Sequence, residues 1–480
     1  MNRTVTSLTA LFLLPVLTSC SPAVTEDIET SLGSPAAVEV EGAFGDCEEL
    51  NKVFETGISE TQDPINLGLG SVLQPAFDSV TYQANRVLDL DQDGIACEVV
   101  DDTPFAENWD VLAQPMEACQ LKETKNLFGG GAKGFPAKSW NSALGNVRIA
   151  VIPVDFPNAV GDEPSSKYAQ DVELMKAWAQ HFSRGKMTYD IEFHGKSWVR
   201  APRGAEWYRC AQCKGAKAEL QPKAAAAQEL VDAADATYDF SGVEIIYFIF
   251  PAQAEREFGA TAYGFNQPFQ TNEGPIAASV YGELGGVINS RPDQVSVWDH
   301  AIHELLHFQG FVGHGPSNWT GHYVTVDQWG PSKAVTSWEG FLNGWYGSDE
   351  ILCLDKEAML PGEEVIVTMD SIDNFGPNKV SVMIRLSSEE LIVVERRESG
   401  PYTEICADCY SAIEEGFVAY RVNVNNPQYR DDNDPDSDAK NFWSFLGSSK
   451  KPTIRTDVTY EQIEITPISE KQVKIKLFEG

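Results

Sequence analysis

Apolar and polar positions follow two rhythms along this chain. VRIAVIPVDF (147–156) is a nearly continuous apolar run, the composition of a strand buried on both faces. Residues 167–182 carry apolar positions at helical spacing, and MTYDIEFHGKSWV (187–199) alternates with the period of two that a strand requires. The Ala-rich stretch 216–236 predicts a helix and VEIIYFIF (243–250) a second buried strand. This β-α-β-α-β order predicts a domain of the α/β or α+β class. Beyond residue 361 the rhythm is strand-like throughout, in EEVIVTM, KVSVMIRL, LIVVERR, FVAYRVNV and KQVKIKLF, which predicts an all-β C-terminal lobe. No fixed-period repeat links these segments.

The first twenty residues, MNRTVTSLTALFLLPVLTSC, place one Arg before a short apolar run and small residues after it. That run is too short to span a bilayer and has the layout of a secretory signal, expected over 1–19. Leu17-Thr18-Ser19-Cys20 resembles a bacterial lipobox, which implies cleavage before Cys20, its lipidation, and a lipid-anchored place on the bacterial surface. No later segment has 18 consecutive apolar residues, so membrane contact is expected through that anchor only. Residues 20–40, small and acidic with prolines, predict a flexible stalk. Residues 41–100 form a compact module bounded by Cys47 and Cys97, 101–145 a linker, 146–348 the α/β domain and 349–480 the β-rich lobe.

Length and charge sharpen this picture. A chain of 480 residues exceeds one ordinary core. Lys and Arg total 36 against 71 Asp and Glu, a formal charge of −35, which disfavours nucleic acid and anionic lipid surfaces as partners and offers carboxylates for calcium. Eight cysteines follow Cys20, and an even number in an exported chain points to disulfides.

Five of the seven histidines fall between residues 300 and 322. Within DHAIHELLHFQGFVGHG (299–315), His303-Glu304-x-x-His307 is the HExxH pattern. On a helix, positions i and i+4 share a face, so two imidazoles there can take two corners of a zinc tetrahedron, with Glu304 beside them as general base. Gly310 can end the helix and turn the chain back. His314 is the expected third ligand, with His322 and Asp327 as alternatives, and His300 reads as a polar residue near the helix start. A His-x-x-Gly-…-His continuation is the extended metzincin pattern, but the third ligand falls one residue late, because Gly313 stands at its usual position.

The stretch 146–425 resembles the immune inhibitor A-type secreted zinc metallopeptidases. VRIAVIPVDFPN is similar to that family's first core strand and turn, FSRGKMTYDIEFHGKSWVRAP to its next strand, and HELLHFQG to its zinc helix. SWEGFLNGWYG and LIVVERRESG…GFVAYRVN resemble the elements that follow. The resemblance implies a zinc endopeptidase with Glu304 as base and proton shuttle. His322 and Tyr323 fall in the region expected to stabilise the oxyanion. No Met lies between His314 and Trp345, so the Met-turn expected under the zinc is absent or substituted, with Val326 a candidate.

DLDQDGIACE (89–98) alternates Asp89, Asp91 and Asp93 before Gly94, the spacing of a calcium loop, although Val100 occupies the position where an EF-hand has its Glu. The segment resembles the excalibur domain, with Phe44, Cys47, Tyr82 and Arg86 at matching places. That resemblance implies a Cys47–Cys97 disulfide and Glu98 as a further calcium ligand. The insert from 60 to 77 departs from the compact module. Cys210-x-x-Cys213 and Cys406-x-x-Cys409 have zinc-knuckle spacing but favour disulfides outside the cytosol, which leaves Cys119–Cys353 by elimination. DDNDPDSD (431–438) reads as a solvated acidic loop.

Together these features predict an exported, lipid-anchored, monomeric zinc endopeptidase acting on protein or peptide substrates, with catalytic Zn2+ and structural Ca2+. Two rival readings are a non-catalytic surface-binding protein on the same fold and a zinc hydrolase of cell-wall peptides.

Overall fold

The computed structural model describes residues 42–62, 64, 72–90, 92–99, 105–122, 142–161, 165–208, 220–251, 253–254, 263–265, 269–276, 278–281, 297–309, 335–398, 400, 416–425, 443–448 and 458–478. The fold is mixed α/β, with several sheets and few helices.

The N-terminal module contains α1 (Cys47–Asn51), β1 (Ile58–Ser59), β2 (Ala76–Phe77), α2 (Ser79–Asn85) and β3 (Ile95–Ala96). β1 pairs parallel with β2 and antiparallel with β3. Asp46 and Asp78 cap the two helices through their side chains, as short acceptors do at orphaned N–H groups. The module's core is small: Leu50, Ile58, Tyr82, Ala96 and Cys97. The Cys47–Cys97 disulfide is formed and closes it. Gly57 is required there. Its φ is +84°, and a Cβ would meet the Cys97 carbonyl oxygen at 2.7 Å.

The next part contains β4 (Gly145–Asp155), α3 (Ala169–Phe182), β5 (Met187–Phe193), β6 (Val199–Arg200), α4 (Ala205–Tyr208), α5 (Leu220–Ala234), β7 (Ile245–Ile249), β8 (Tyr263–Phe265), β9 (Phe269–Thr271), β10 (Gly274–Ile276), β11 (Ala278–Tyr281), α6 (Val297–Phe308) and α7 (Ser337–Leu342). The main sheet runs β5-β4-β7-β11-β8, with β6 also pairing with β4. β5, β4, β7 and β11 pair in parallel, and β8 is an antiparallel edge. A parallel sheet needs cover on both faces, which explains the unbroken apolar runs. Ile152, Val154, Ile246 and Phe248 face α5, whose Leu230 and Val231 are buried against them. Val147, Ile149, Val151, Ile245 and Tyr247 face α3 and α6. The alternation in 187–199 ends as a strand at Phe193, because a compact turn at Gly195 intervenes. A Cβ on Gly195 would lie 2.8 Å from the Phe193 ring.

The C-terminal part contains β12 (Ile351–Asp355), β13 (Glu364–Thr368), β14 (Ser381–Arg385), β15 (Glu390–Arg397), β16 (Gly416–Asn423), β17 (Trp443–Ser448), β18 (Val458–Tyr460), β19 (Ile463–Pro467) and β20 (Gln472–Leu477). They form two sheets, β12-β14-β15-β16-β17 and β13-β20-β19-β18. One face of the first sheet (Leu352, Val382, Ile392, Val394) packs on the second (Val365, Val367, Val473, Ile475). Its other face (Met383, Leu391, Val393, Tyr420) joins the same core as α3 and α6. The layers therefore run α5, main sheet, α3 with α6, five-stranded sheet, four-stranded sheet.

Residues 105–122 lie along the C-terminal sheets. Gln114 N donates to Cys353 O at 2.8 Å beside β12, Phe105 exchanges two backbone bonds with the Gln472 side chain, and Trp109 and Leu112 pack on the sandwich core. The Cys119–Cys353 disulfide is also formed and spans 234 residues.

Candidate metal centre

Positions 303, 304 and 307 lie on one continuous helix, α6. Among its described side chains, Val297, Trp298, Ala301, Ile302, Leu305 and Leu306 are buried. At roughly 100° per residue these cluster on one arc, and positions 300, 303, 304 and 307 fall on the opposite arc. The side chains of His300, His303, Glu304 and His307 lie outside the described residues. His314, His322, Tyr323, Val326 and Asp327 lie outside them altogether, as do Cys20, Asp91, Val100, Cys210, Cys213, Cys406 and Cys409. Among the described residues no three His, Cys, Asp or Glu side chains form a metal site. Two imidazoles at i and i+4 with a carboxylate between them remain a donor set suited to zinc by chemistry and spacing.

α6 is held at both ends by side chains from elsewhere in the fold. Asp171, in the first turn of α3, accepts a hydrogen bond from Trp298 N at 3.0 Å. Burial raises the Asp171 pKa, and the amide bonds it receives, from Trp298 first, oppose that rise. At the far end, buried Gln309 accepts from Tyr189 Oη at 3.1 Å and donates to Ser142 O at 2.9 Å. Between these points α6 packs on Val172, Met175, Trp178 and Ala179 of α3.

A second polar cluster ties α7 to the five-stranded sheet. Ser337 donates from both N and Oγ to Glu395 Oε1, each at 2.6 Å, and Tyr420 Oη donates to the same oxygen at 2.6 Å. Arg397 pairs with Glu395 at 2.9 Å and with Asp373 at 3.4 Å. Glu339 is buried beside them. Burial pushes its carboxyl well above the ordinary carboxylate range, bonds from Thr336 oppose this, and Glu395 adds to the rise. Its Oε1 has no hydrogen-bond partner among the described residues. The LIVVERR run was visible in the sequence, but the partners of its Glu395 on α7 and β16 were not.

In the N-terminal module, Asp89 is buried and organises its loop. Its Oδ2 accepts from Tyr82 Oη at 2.5 Å and Gly94 N at 3.0 Å, and its Oδ1 from Gln92 N at 2.7 Å. Asp93 Oδ1 accepts from Ile95 N at 2.8 Å. Burial, then the Asp89 carboxylate, holds the Tyr82 phenol above its usual pKa. These bonds shape the loop around the Asp89 and Asp93 carboxylates.

No family model matches the chain. It is similar to the uncharacterized protein YhjA of Bacillus subtilis (strain 168), at 38% identity over 55 residues, 12% of this chain. The chain spans 62% of that protein's length. Among the described residues no helix is long and apolar enough to cross a membrane.

Proposed function

We propose that the chain is an exported zinc-dependent endopeptidase, anchored to the bacterial surface by lipid on Cys20. The observation that carries this reading is the placement of positions 303, 304 and 307 on the arc of α6 opposite its buried face. His303 and His307 would hold the metal, with a third ligand from the segment after Gly310, His314 first and His322 or Asp327 as rivals. When bound, zinc supplies Lewis acidity, polarising a peptide carbonyl and lowering the pKa of a water toward about 7. Glu304 accepts the proton from the attacking water and passes it to the leaving nitrogen, so a C–O bond forms as the C–N bond breaks. His322 and Tyr323 would donate to the oxyanion. Asp89, Asp91, Asp93 and Glu98 would hold calcium, on a loop that Asp89 already shapes through the Gln92 and Gly94 amides.

The test is metal analysis and a casein-type cleavage assay on the mature chain and on Glu304→Gln. Both proteins should hold one catalytic zinc, and the variant should lose about 100-fold or more in kcat, because the charge loss falls on proton transfer. A wild type that binds zinc but cleaves nothing in a broad peptide library would instead favour the surface-binding reading.

A further inference from the structure

We propose that Asp171 is a positioning residue for the helix that carries His303, Glu304 and His307, an inference that rests on the zinc-peptidase reading. The first four N–H groups of an α-helix have no partner within it. At the start of α6 the acceptor comes from a different helix, since Asp171 Oδ1 takes the Trp298 N–H across 127 residues of chain. Because Asp171 also lies in the first turn of α3, one side-chain acceptor stands at the N-terminal ends of two helices.

The bond matters because of leverage. Cα atoms lie about 2.3 Å from a helix axis, and side-chain ends lie roughly 5–6 Å from it. A 20° rotation of α6 would move such an end by roughly 2 Å, whereas metal–ligand distances tolerate about 0.2 Å. A hydrogen bond at Trp298 and the Gln309 bonds to Tyr189 and Ser142, about eleven residues further on, fix both ends of the lever. Asp171 therefore sets the height and rotation of the metal-bearing arc without touching metal or substrate.

The test compares Asp171→Ala and Asp171→Asn in the full mature chain. Asparagine keeps an oxygen acceptor at the same reach and removes only the charge. Asp171→Ala should weaken zinc affinity, read by chelator competition, by about 10- to 100-fold. It should lower kcat with KM nearly unchanged and speed amide hydrogen exchange at 298–302. Asp171→Asn should stay within about threefold of wild type in all three. Should the alanine variant fail to fold, Asp171→Ser, with a shorter acceptor, should fall between the two. Unchanged zinc affinity and exchange in Asp171→Ala, or equal impairment of the alanine and asparagine variants, overturns the proposal. A wild type that takes up no zinc overturns the peptidase reading instead, and the exchange difference then decides alone whether Asp171 clamps α6.

Discussion

The N-terminal module and the body that follows it solve the same stability problem by opposite means. The module buries five core residues and relies on a disulfide, two Asp helix caps and the Asp89 carboxylate. The body puts α3, α6, α7 and one face of the five-stranded sheet into a single core containing fully buried Trp178, Trp338 and Trp345. A unit of about 60 residues buries too little apolar surface to stand without a cross-link, whereas a large core can carry buried charge at modest relative cost. The two regions should therefore fail under different insults.

The largest effect is expected in the shared core. Trp178 is fully buried and meets Trp345 edge to face, with ring centroids 6.3 Å apart. Trp178→Ala should cost about 3–5 kcal/mol, and because the core is shared, the α/β layer and the β lobe should lose stability together. Calorimetry or chemical denaturation followed by probes in each half would check this. Two transitions moving apart would show that the halves are separate units.

The converse insult targets the module. Cys47→Ser should remove about 2–4 kcal/mol from the module and leave the main unfolding transition in place. Limited proteolysis should then cut preferentially within residues 42–99. A shift of the main transition by several degrees would show that the module is part of the larger body after all.

The smallest effect is a slope. Glu339 has a folded-state pKa raised above its ordinary 4.5. The stability it contributes is fully present below pH 4.5 and is lost as pH rises from there through the folded-state value, because the native form holds the proton longer. Glu339→Gln keeps an acceptor for Thr336 and cannot ionise, so melting temperatures of the variant measured from pH 4.5 to 8 should fall less steeply than those of wild type. Parallel curves would show that the buried carboxyl does not titrate in that range.

Much of the fold was legible from periodicity. The runs at 147–156, 243–250 and 391–397 became β4, β7 and β15, and the helical spacings became α3 and α5. The short strands β17 to β19 were missed, since segments of three to six residues carry little periodic signal. The Cys47–Cys97 pairing came through resemblance to a known module, and Cys119–Cys353 came through counting. The HExxH pattern was visible because its chemistry is local. Its supports were not: Asp171 finds its partner 127 residues away, and Gln309 reads as an ordinary polar residue after a helix. Ser337, Glu395 and Tyr420 meet only after three separate elements have packed. Such contacts are set by tertiary distance, to which spacing along a chain is blind.

The Cys119–Cys353 bond also gives the backbone the topology of a closed ring. Everything from β4 to α7 lies inside it. A single cut anywhere within that ring opens a loop but releases no fragment, since both new ends stay covalently linked through β12. The part N-terminal to such a cut would remain fastened to the C-terminal sandwich, where residues 105–122 already lie. The chain could thus be nicked once and keep every piece on the same tether until the disulfide is reduced.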